Sequence, residues 1–478
     1  MVDVVSQLGI GVLLARLLVP SDFGVMALAF IVLSVIRPFG DLGMAGAVVQ
    51  RRELTERHIR TAFTFSLIFG IAVAAIMVAI SPLAALATRQ PMVAPVLRWL
   101  SLGFAISGTS IVADALLRRR LDFKRRFIIN TGSYVIGYGG VGVTLALLGY
   151  GVWSLVWAGL SQTVLMSILV LASVRHPKRP MIARPELDQL LNFGVGTSAS
   201  AFVNFLARSG DNFVVGRVMG AENLGLYSRA YSLMNLPFTY AATAVSSVLF
   251  PALSEVQHEP ERLRRAHLLL TRLVAVVSAP AMATMGIVAP HLIVGVYGPK
   301  WTGAIVPLQV LSAAGYVRAL YHISGVVAQS AGRVYGELRN QIVYAVLVLV
   351  GAVLGTRFGL AGVSIGVAAA IGYMFVATAQ LALSATATSW RTYVRAQIFA
   401  LAIGAITGTV ALAVRLALER QQLSSGPIAA AVLAAAALPA ALGILWVLGD
   451  ADFGPVLRNF PSALGRLSAR VALLRRAT

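Results

Sequence analysis

Apolar stretches of about twenty residues follow one another along almost the whole 478-residue chain, separated by short segments rich in arginine, glycine and proline. In a hydrocarbon core roughly 30 Å thick, a stretch of that kind survives only as a helix, because each backbone amide must find its partner inside the segment. Hydrophobic residues make up 58% of the chain and charged residues 12%, whereas soluble domains carry about a quarter charged. A soluble fold is excluded. The expectation is an all-α membrane protein with about 14 transmembrane helices, spanning 2–18, 22–48, 58–87, 92–117, 126–147, 151–172, 188–219, 222–250, 266–297, 303–331, 335–356, 360–385, 392–416 and 426–448.

The same composition removes several function classes. With no cysteine and six histidines that form no ligand-spaced cluster, thiolate metal sites, iron-sulfur clusters and disulfides drop out, and no cofactor or covalent chemistry is expected. The net charge of +21 does not point to nucleic acid, since the basic residues sit in short loops between apolar runs. With the first span starting in the cytoplasm, the loops 49–60, 117–126, 173–187, 251–272, 330–339 and 386–395 and the tail from 449 hold 27 Lys and Arg against eight on the other side. That bias places both termini in the cytoplasm of a bacterial inner membrane protein. The first span, with Asp3 and no preceding basic residue, reads as incomplete at its start and lacks the pattern of a secretory signal. In the tail 451–478, Leu464, Leu467, Val471 and Leu474 share one face while Arg466 and Arg470 lie off it, as in an interfacial helix on anionic lipid.

The chain also repeats itself. The segment Leu14 to Gly24 aligns with Val215 to Gly225 at an offset of 201, so that Arg16 meets Arg217, Asp22 meets Asn223 and Gly24 meets Gly225. A weaker echo pairs Gly149-Tyr150-Gly151-Val152-Trp153-Ser154 with Gly359-Leu360-Ala361-Gly362-Val363-Ser364. The organisation expected is two six-helix repeats, 1–187 and 188–385, then two extra helices in 386–450 and the basic tail. Six is even, so the halves insert with the same orientation about an axis along the membrane normal, with a substrate site between them.

Leu14 to Arg52, with Arg16-Leu17-Leu18, Pro20-Ser21-Asp22-Phe23-Gly24, Asp41-Leu42-Gly43-Met44 and Gln50-Arg51-Arg52, resembles the start of Wzx-type polysaccharide flippases. So does Asp211-Asn212-Phe213-Val214-Val215-Gly216-Arg217 through Leu226-Tyr227-Ser228-Arg229-Ala230-Tyr231, followed by Leu249-Phe250-Pro251-Ala252-Leu253-Ser254. The resemblance is to the multidrug/oligosaccharidyl-lipid/polysaccharide exporter superfamily and covers essentially the whole chain. It implies movement of an undecaprenyl-diphosphate-linked oligosaccharide from the cytoplasmic to the periplasmic leaflet, for O-antigen, capsule or exopolysaccharide assembly, alongside polysaccharide polymerase machinery. It also implies that the two extra helices, with Gly404 and Gly408 in small-xxx-small spacing, form a groove for the polyprenyl tail.

Four arginines fall inside spans: Arg37, Arg208, Arg229 and Arg318. Each costs about 2.5–3.5 kcal/mol at the bilayer centre, so each must face protein or a wet cavity. Asp41 follows Arg37 by four residues and Asp211 follows Arg208 by three, so each pair can neutralise itself on one helix face. Arg229 and Arg318 have no acidic residue at such spacing and lead the candidates for the lipid diphosphate, which a guanidinium fork suits; Arg37 and Arg208 complete the set. Asp41, Asp211 and His322 are candidates for H⁺ or Na⁺ coupling, and Asp3 and Asp114 are weaker ones. Arg16 and Arg217 suit helix capping. Pro38 and Pro237, at similar depths in paired helices, suit kinks or hinges. The run Gly137 to Gly142 has the look of a nucleotide-binding loop but lies inside a span with no strand before it, and close helix packing accounts for it better.

Three rivals remain. A drug or organic-cation antiporter of the same superfamily would carry uncompensated carboxylates and need only about twelve helices, and a peptidoglycan lipid-precursor flippase would share the cationic cavity. A polysaccharide polymerase would need a large periplasmic loop with catalytic residues, and the longest periplasmic connection is 416–427. No Gly-x-x-x-x-Gly-Lys-Ser/Thr loop is present for ATP-driven transport.

Overall fold

The computed structural model describes residues 2–36, 44–51, 53–174, 176–177, 179–187, 209–235, 259–421 and 423–449. Arg37, Pro38, Asp41, Arg208, Pro237 and the tail 451–478 lie outside the described residues, and with them the two expected Arg–Asp pairs and the expected hinges. Every regular element among the described residues is a helix.

Two compact units divide the chain, Met1–Ser228 and Arg229–Thr478. Residues 209–228 belong to the first of them. That unit contains α1 (Val2–Leu17), α2 (Pro20–Ile36), α3 (Met44–Gln50), α4 (Glu56–Thr88), α5 (Val93–Gly108), α6 (Ile111–Arg119), α7 (Phe123–Tyr134), a π-helical stretch Val135–Gly142, α8 (Val143–Leu147) and α9 (Val152–Ser173). Residues 209–235, here α10, are helical on both sides of Gly220, whose φ of +89° interrupts the run. The second unit continues with α11 (Pro260–Val296), a 3₁₀ turn Pro299–Ala304, α12 (Ile305–Ser330), α13 (Val334–Gly355), α14 (Gly359–Ala385), α15 (Trp390–Glu419) and α16 (Ser425–Gly449).

Among the described residues, six helical runs are long and apolar enough to cross a membrane, or seven with α5 and α6, bent by 52°, taken as one broken span. The sequence reads 92–117 as a single helix; its apolar pattern does not register the turn at Thr109 and Ser110. One of the six runs, Val334–Ala385, holds two helices folded back on each other. There Gly351 meets Gly366 and Gly355 meets Gly362, backbone against backbone, the close approach that small residues permit where lipid offers no hydrophobic drive between helices.

Local signals fix the helix ends. Thr55 and His58 form a capping box at the start of α4, Asp122 accepts from the Arg125 amide at 3.2 Å, and Ser389 accepts from Thr392 at 3.3 Å. The same turn geometry recurs in both halves of the sequence. Gly149 (φ +82°) and Gly359 (φ +69°) precede α9 and α14, Leu121 (φ +56°) and Gly332 (φ +77°) precede α7 and α13, and Arg89 (φ +55°) and Gly298 (φ +99°) follow α4 and α11. Leu121 and Arg89 hold a conformation that side chains with a Cβ seldom adopt.

The run Gly137 to Gly142 is packing. It lies in the π-helical stretch, where a Cβ on Gly137 would stand 2.8 Å from the Gln162 amide nitrogen and one on Gly142 2.9 Å from the Ala158 Cβ. Gly404 and Gly408 of α15 likewise seat that helix on α11, against Ala279 and Ala283.

Candidate functional site

Arg318 sits at the middle of α12, whose inward face includes Leu311, Ser312, Ala314, Gly315 and Ala319. Its Nη1 donates to the Tyr231 hydroxyl of α10, and its Cζ lies 5.1 Å from the centre of the Tyr231 ring. Tyr321 and Tyr344 stand close enough to act on its charge, their rings 6.4 Å apart and inclined at 51°. No carboxylate pairs with Arg318 among the described residues. Phenols can hold a guanidinium by hydrogen bond and by the negative ring face without cancelling its charge, so the arrangement keeps a cation in an apolar region and leaves it open to an anion.

Arg229 lies two residues before Tyr231 on α10, and residues so spaced do not share a helix face. Its charge acts on Tyr297, just past the end of α11. Burial pushes the Tyr297 hydroxyl above its ordinary value, and Arg229 pulls the other way. The two leading arginines therefore meet different tyrosines. His322 is half-buried one turn beyond Arg318 on the same helix.

Asp211 belongs to the other unit and is 2% exposed. Its Oδ2 accepts from the Tyr227 hydroxyl at 2.9 Å and its Oδ1 from the Asn212 amide at 2.8 Å. Asp114 ties helices together: Arg118, one turn on, and Arg126 of α7, Nε to Oδ1 2.8 Å, both hold it. Arg217 donates to the Ala87 carbonyl, in the last turn of α4, where a cation suits the helix end.

Two polar clusters escape sequence reasoning because their members lie far apart in the chain. In one, Glu419 Oε1 of α15 receives His291 Nε2 of α11 at 2.7 Å and Arg415 Nε at 2.8 Å. In the other, a buried seam joins α11, α12 and α15: Tyr316 donates to Gln397 Oε1 at 3.0 Å, and Ser324 Oγ lies 3.3 Å from the Tyr393 hydroxyl and 3.5 Å from His267 Nε2. Helical period reports a residue's own face, not its partner on a helix many residues away.

Long apolar helices packed on one another build the described chain, and the solved structure of the lipid II flippase MurJ, inward closed, shares the fold. It matches 93% of this chain and 97% of its own with a TM-score of 0.72 at 12% identity. The chain belongs to the family described as polysaccharide biosynthesis protein, which matches residues 13–306. Among its relatives, the lipopolysaccharide biosynthesis protein WzxC of Escherichia coli K12 is 25% identical over 365 residues, 74% of this chain and 72% of that one. The succinoglycan biosynthesis transport protein ExoT of Rhizobium meliloti is 30% identical over 294 residues, 61% of this chain and 59% of that one.

Proposed function

We propose that the chain is a flippase that carries an undecaprenyl-diphosphate-linked oligosaccharide from the cytoplasmic to the periplasmic leaflet, for O-antigen, capsule or exopolysaccharide assembly. In this reading about fourteen helices form two six-helix halves that alternate in access, with two further helices, and both termini are cytoplasmic. The diphosphate is taken by Arg318, joined by Arg229, Arg37 and Arg208, with H⁺ or Na⁺ as the coupling ion, and the flipped product passes to polymerase machinery.

The observation that carries the reading is the state of Arg318. Its described partners are phenols, which leave the positive charge uncancelled, and an anionic head group completes what they lack. The recurrence of positive φ at Gly149 and Gly359, and at Leu121 and Gly332, supports two equivalent halves. The names of WzxC and ExoT support a polysaccharide precursor as cargo.

Flipping of an undecaprenyl-diphosphate oligosaccharide in proteoliposomes tests it, with wild type, Arg229→Ala and Arg318→Ala at matched protein levels. Wild type is expected to flip, and Arg318→Ala to lose about tenfold or more, the scale of a charge-assisted hydrogen bond. Transport of organic cations with no movement of the lipid would replace this reading with the antiporter.

A further inference from the structure

The inward face of α13 carries a second isolated charge. Glu337, Asn340, Tyr344 and Val348 are buried at the three- and four-residue spacing of one helix face. Glu337 is 5% exposed and Asn340 3%. Glu337 Oε1 accepts a hydrogen bond from Gln341 Nε2 at 3.2 Å, whereas Glu337 Oε2 and Asn340 Nδ2 are buried with no hydrogen-bond partner among the described residues. Opposite them on α12, a Cβ built on Gly325 would stand 3.4 Å from Oε1, so bare backbone comes up to the carboxyl.

Among the described residues, the charged and titratable groups around it are few. His322, Tyr321 and Arg318 lie on α12 between Gly325 and its middle. Helix α14, packed along α13, offers Tyr373 and no charged residue. On α13 itself, Tyr344 lies further along the buried face, while Tyr335, Arg339 and the preceding Arg333 are exposed. An ionised carboxylate with one neutral amide donor is expensive to bury, and a proton removes the charge. A metal cation would need a cage of several oxygens, which one carboxylate beside two amides does not supply.

We propose that Glu337 is a proton-binding site coupled through the protein interior to the diphosphate site at Arg318; the inference rests on the flippase reading and names its coupling ion. Gly325, which faces the carboxyl, is two helical turns from Arg318, about 10 Å along α12. In a region of low dielectric, charges at that separation act on each other far more strongly than in water. Ionised Glu337 draws on the field of Arg318 and opposes an arriving diphosphate. Protonated Glu337 leaves that field whole. Proton and anionic head group therefore favour each other's binding, and by reciprocity head-group binding takes up a proton.

The test uses the full chain in lipid nanodiscs and a short-chain prenyl-diphosphate sugar as probe. Calorimetry in two buffers of different ionisation enthalpy reads the protons exchanged. Wild type is expected to take up protons on binding and to bind at least about fivefold more tightly as the pH falls; Glu337→Gln, which keeps the shape, is expected to bind with no proton uptake and no pH dependence. Proton uptake that persists in Glu337→Gln, or its absence in wild type, overturns the proposal. An infrared titration separates the two readings. A carboxylic acid band present in wild type and missing in Glu337→Gln supports the proton site even where the probe fails to bind and the flippase reading falls. No difference in that band overturns it.

Discussion

Gly24 and Ala221 lie so close that a Cβ on Gly24 would overlap the Ala221 carbonyl, and Gly225 stands in the same relation to Pro20. Positions 20 and 221 are repeat equivalents, as are 24 and 225, so exchanging the two segments returns the same contact. This is the signature of a two-fold interface, in which residue i meets j and j meets i. Bare glycine is required on both sides for one reason, and the contact joins two segments that the sequence aligns at an offset of 201.

Gly24→Ala and Gly225→Ala should therefore damage the protein alike. Overpacking costs typically 1–3 kcal/mol, and here the obstacle is main chain, which cannot rotate away. Thermal unfolding in detergent is expected to fall by a similar amount for each. Gly103→Ala, with nothing near its Cβ, should leave the midpoint unchanged or raise it. A normal midpoint in Gly24→Ala would contradict the contact.

The phenolic setting of Arg318 separates charge from geometry. Arg318→Lys keeps the cation but loses the planar fork, and flipping per folded molecule should drop by about tenfold or more. Tyr231→Phe removes the hydroxyl that receives Nη1 while keeping the ring under the guanidinium. A smaller loss, of about two- to tenfold, is expected there, measured in the proteoliposome assay at matched protein levels. Full activity in Arg318→Lys would mean that a point charge suffices.

Asp114 is expected to matter for folding and not for transport. It is 8% exposed and holds Arg118 and Arg126, whose side chains are half-exposed; removing the carboxylate loses the charge-assisted hydrogen bonds that tie the two helices, about 1–2 kcal/mol once solvent screens the freed guanidiniums. Asp114→Asn should lower yield and thermal stability while the molecules that fold flip at the wild-type rate. Loss of rate without loss of stability would return Asp114 to the list of coupling sites.

The sequence is most informative where a property belongs to one helix. Apolar runs place most helix ends within a few residues, and the glycines of α15 announce a packed face. Glu337 shows the limit. Two residues from Arg339 and four from Arg333, it reads as part of a cytoplasmic loop, yet the 337, 340, 344 face turns it inward while both arginines stay exposed. Likewise nothing near Arg318 in the chain discloses Tyr231 or Tyr344, since the cage forms only when three helices meet. The bend between α5 and α6 is hidden for another reason. Gly108, Thr109 and Ser110 are small enough to continue an apolar pattern and do not break it.

Glu419 should act as a clasp between α15 and α11. His291 and Arg415 converge on one of its oxygens, and Arg415 Nη1 also donates to the Ile287 carbonyl at 2.9 Å. Glu419→Gln is expected to lower the unfolding temperature, and His291→Ala in that background to lower it little further, since both changes break the same cluster. Strictly additive losses in this double-mutant cycle would show that the two residues act independently.

Orientation can be settled where the charge bias is thinnest. Between α11 and α15 the expected cytoplasmic loops hold Arg333, Arg339, Arg391 and Arg395, against Lys300 and Arg357 in the opposite turns, a margin narrower than in the first half of the chain. The rule counts basic residues in short loops, so alternation across three successive turns is a sharper test than either terminus. The chain has no cysteine, and Lys300, Tyr335 and Phe358 are exposed, which permits single cysteines without a background to remove. With a membrane-impermeant maleimide on cells whose outer membrane is opened, Lys300→Cys and Phe358→Cys are expected to react at once and Tyr335→Cys only after lysis. The reverse pattern would invert the second half, and equal labelling of Tyr335→Cys and Phe358→Cys would mean that α13 does not cross the membrane.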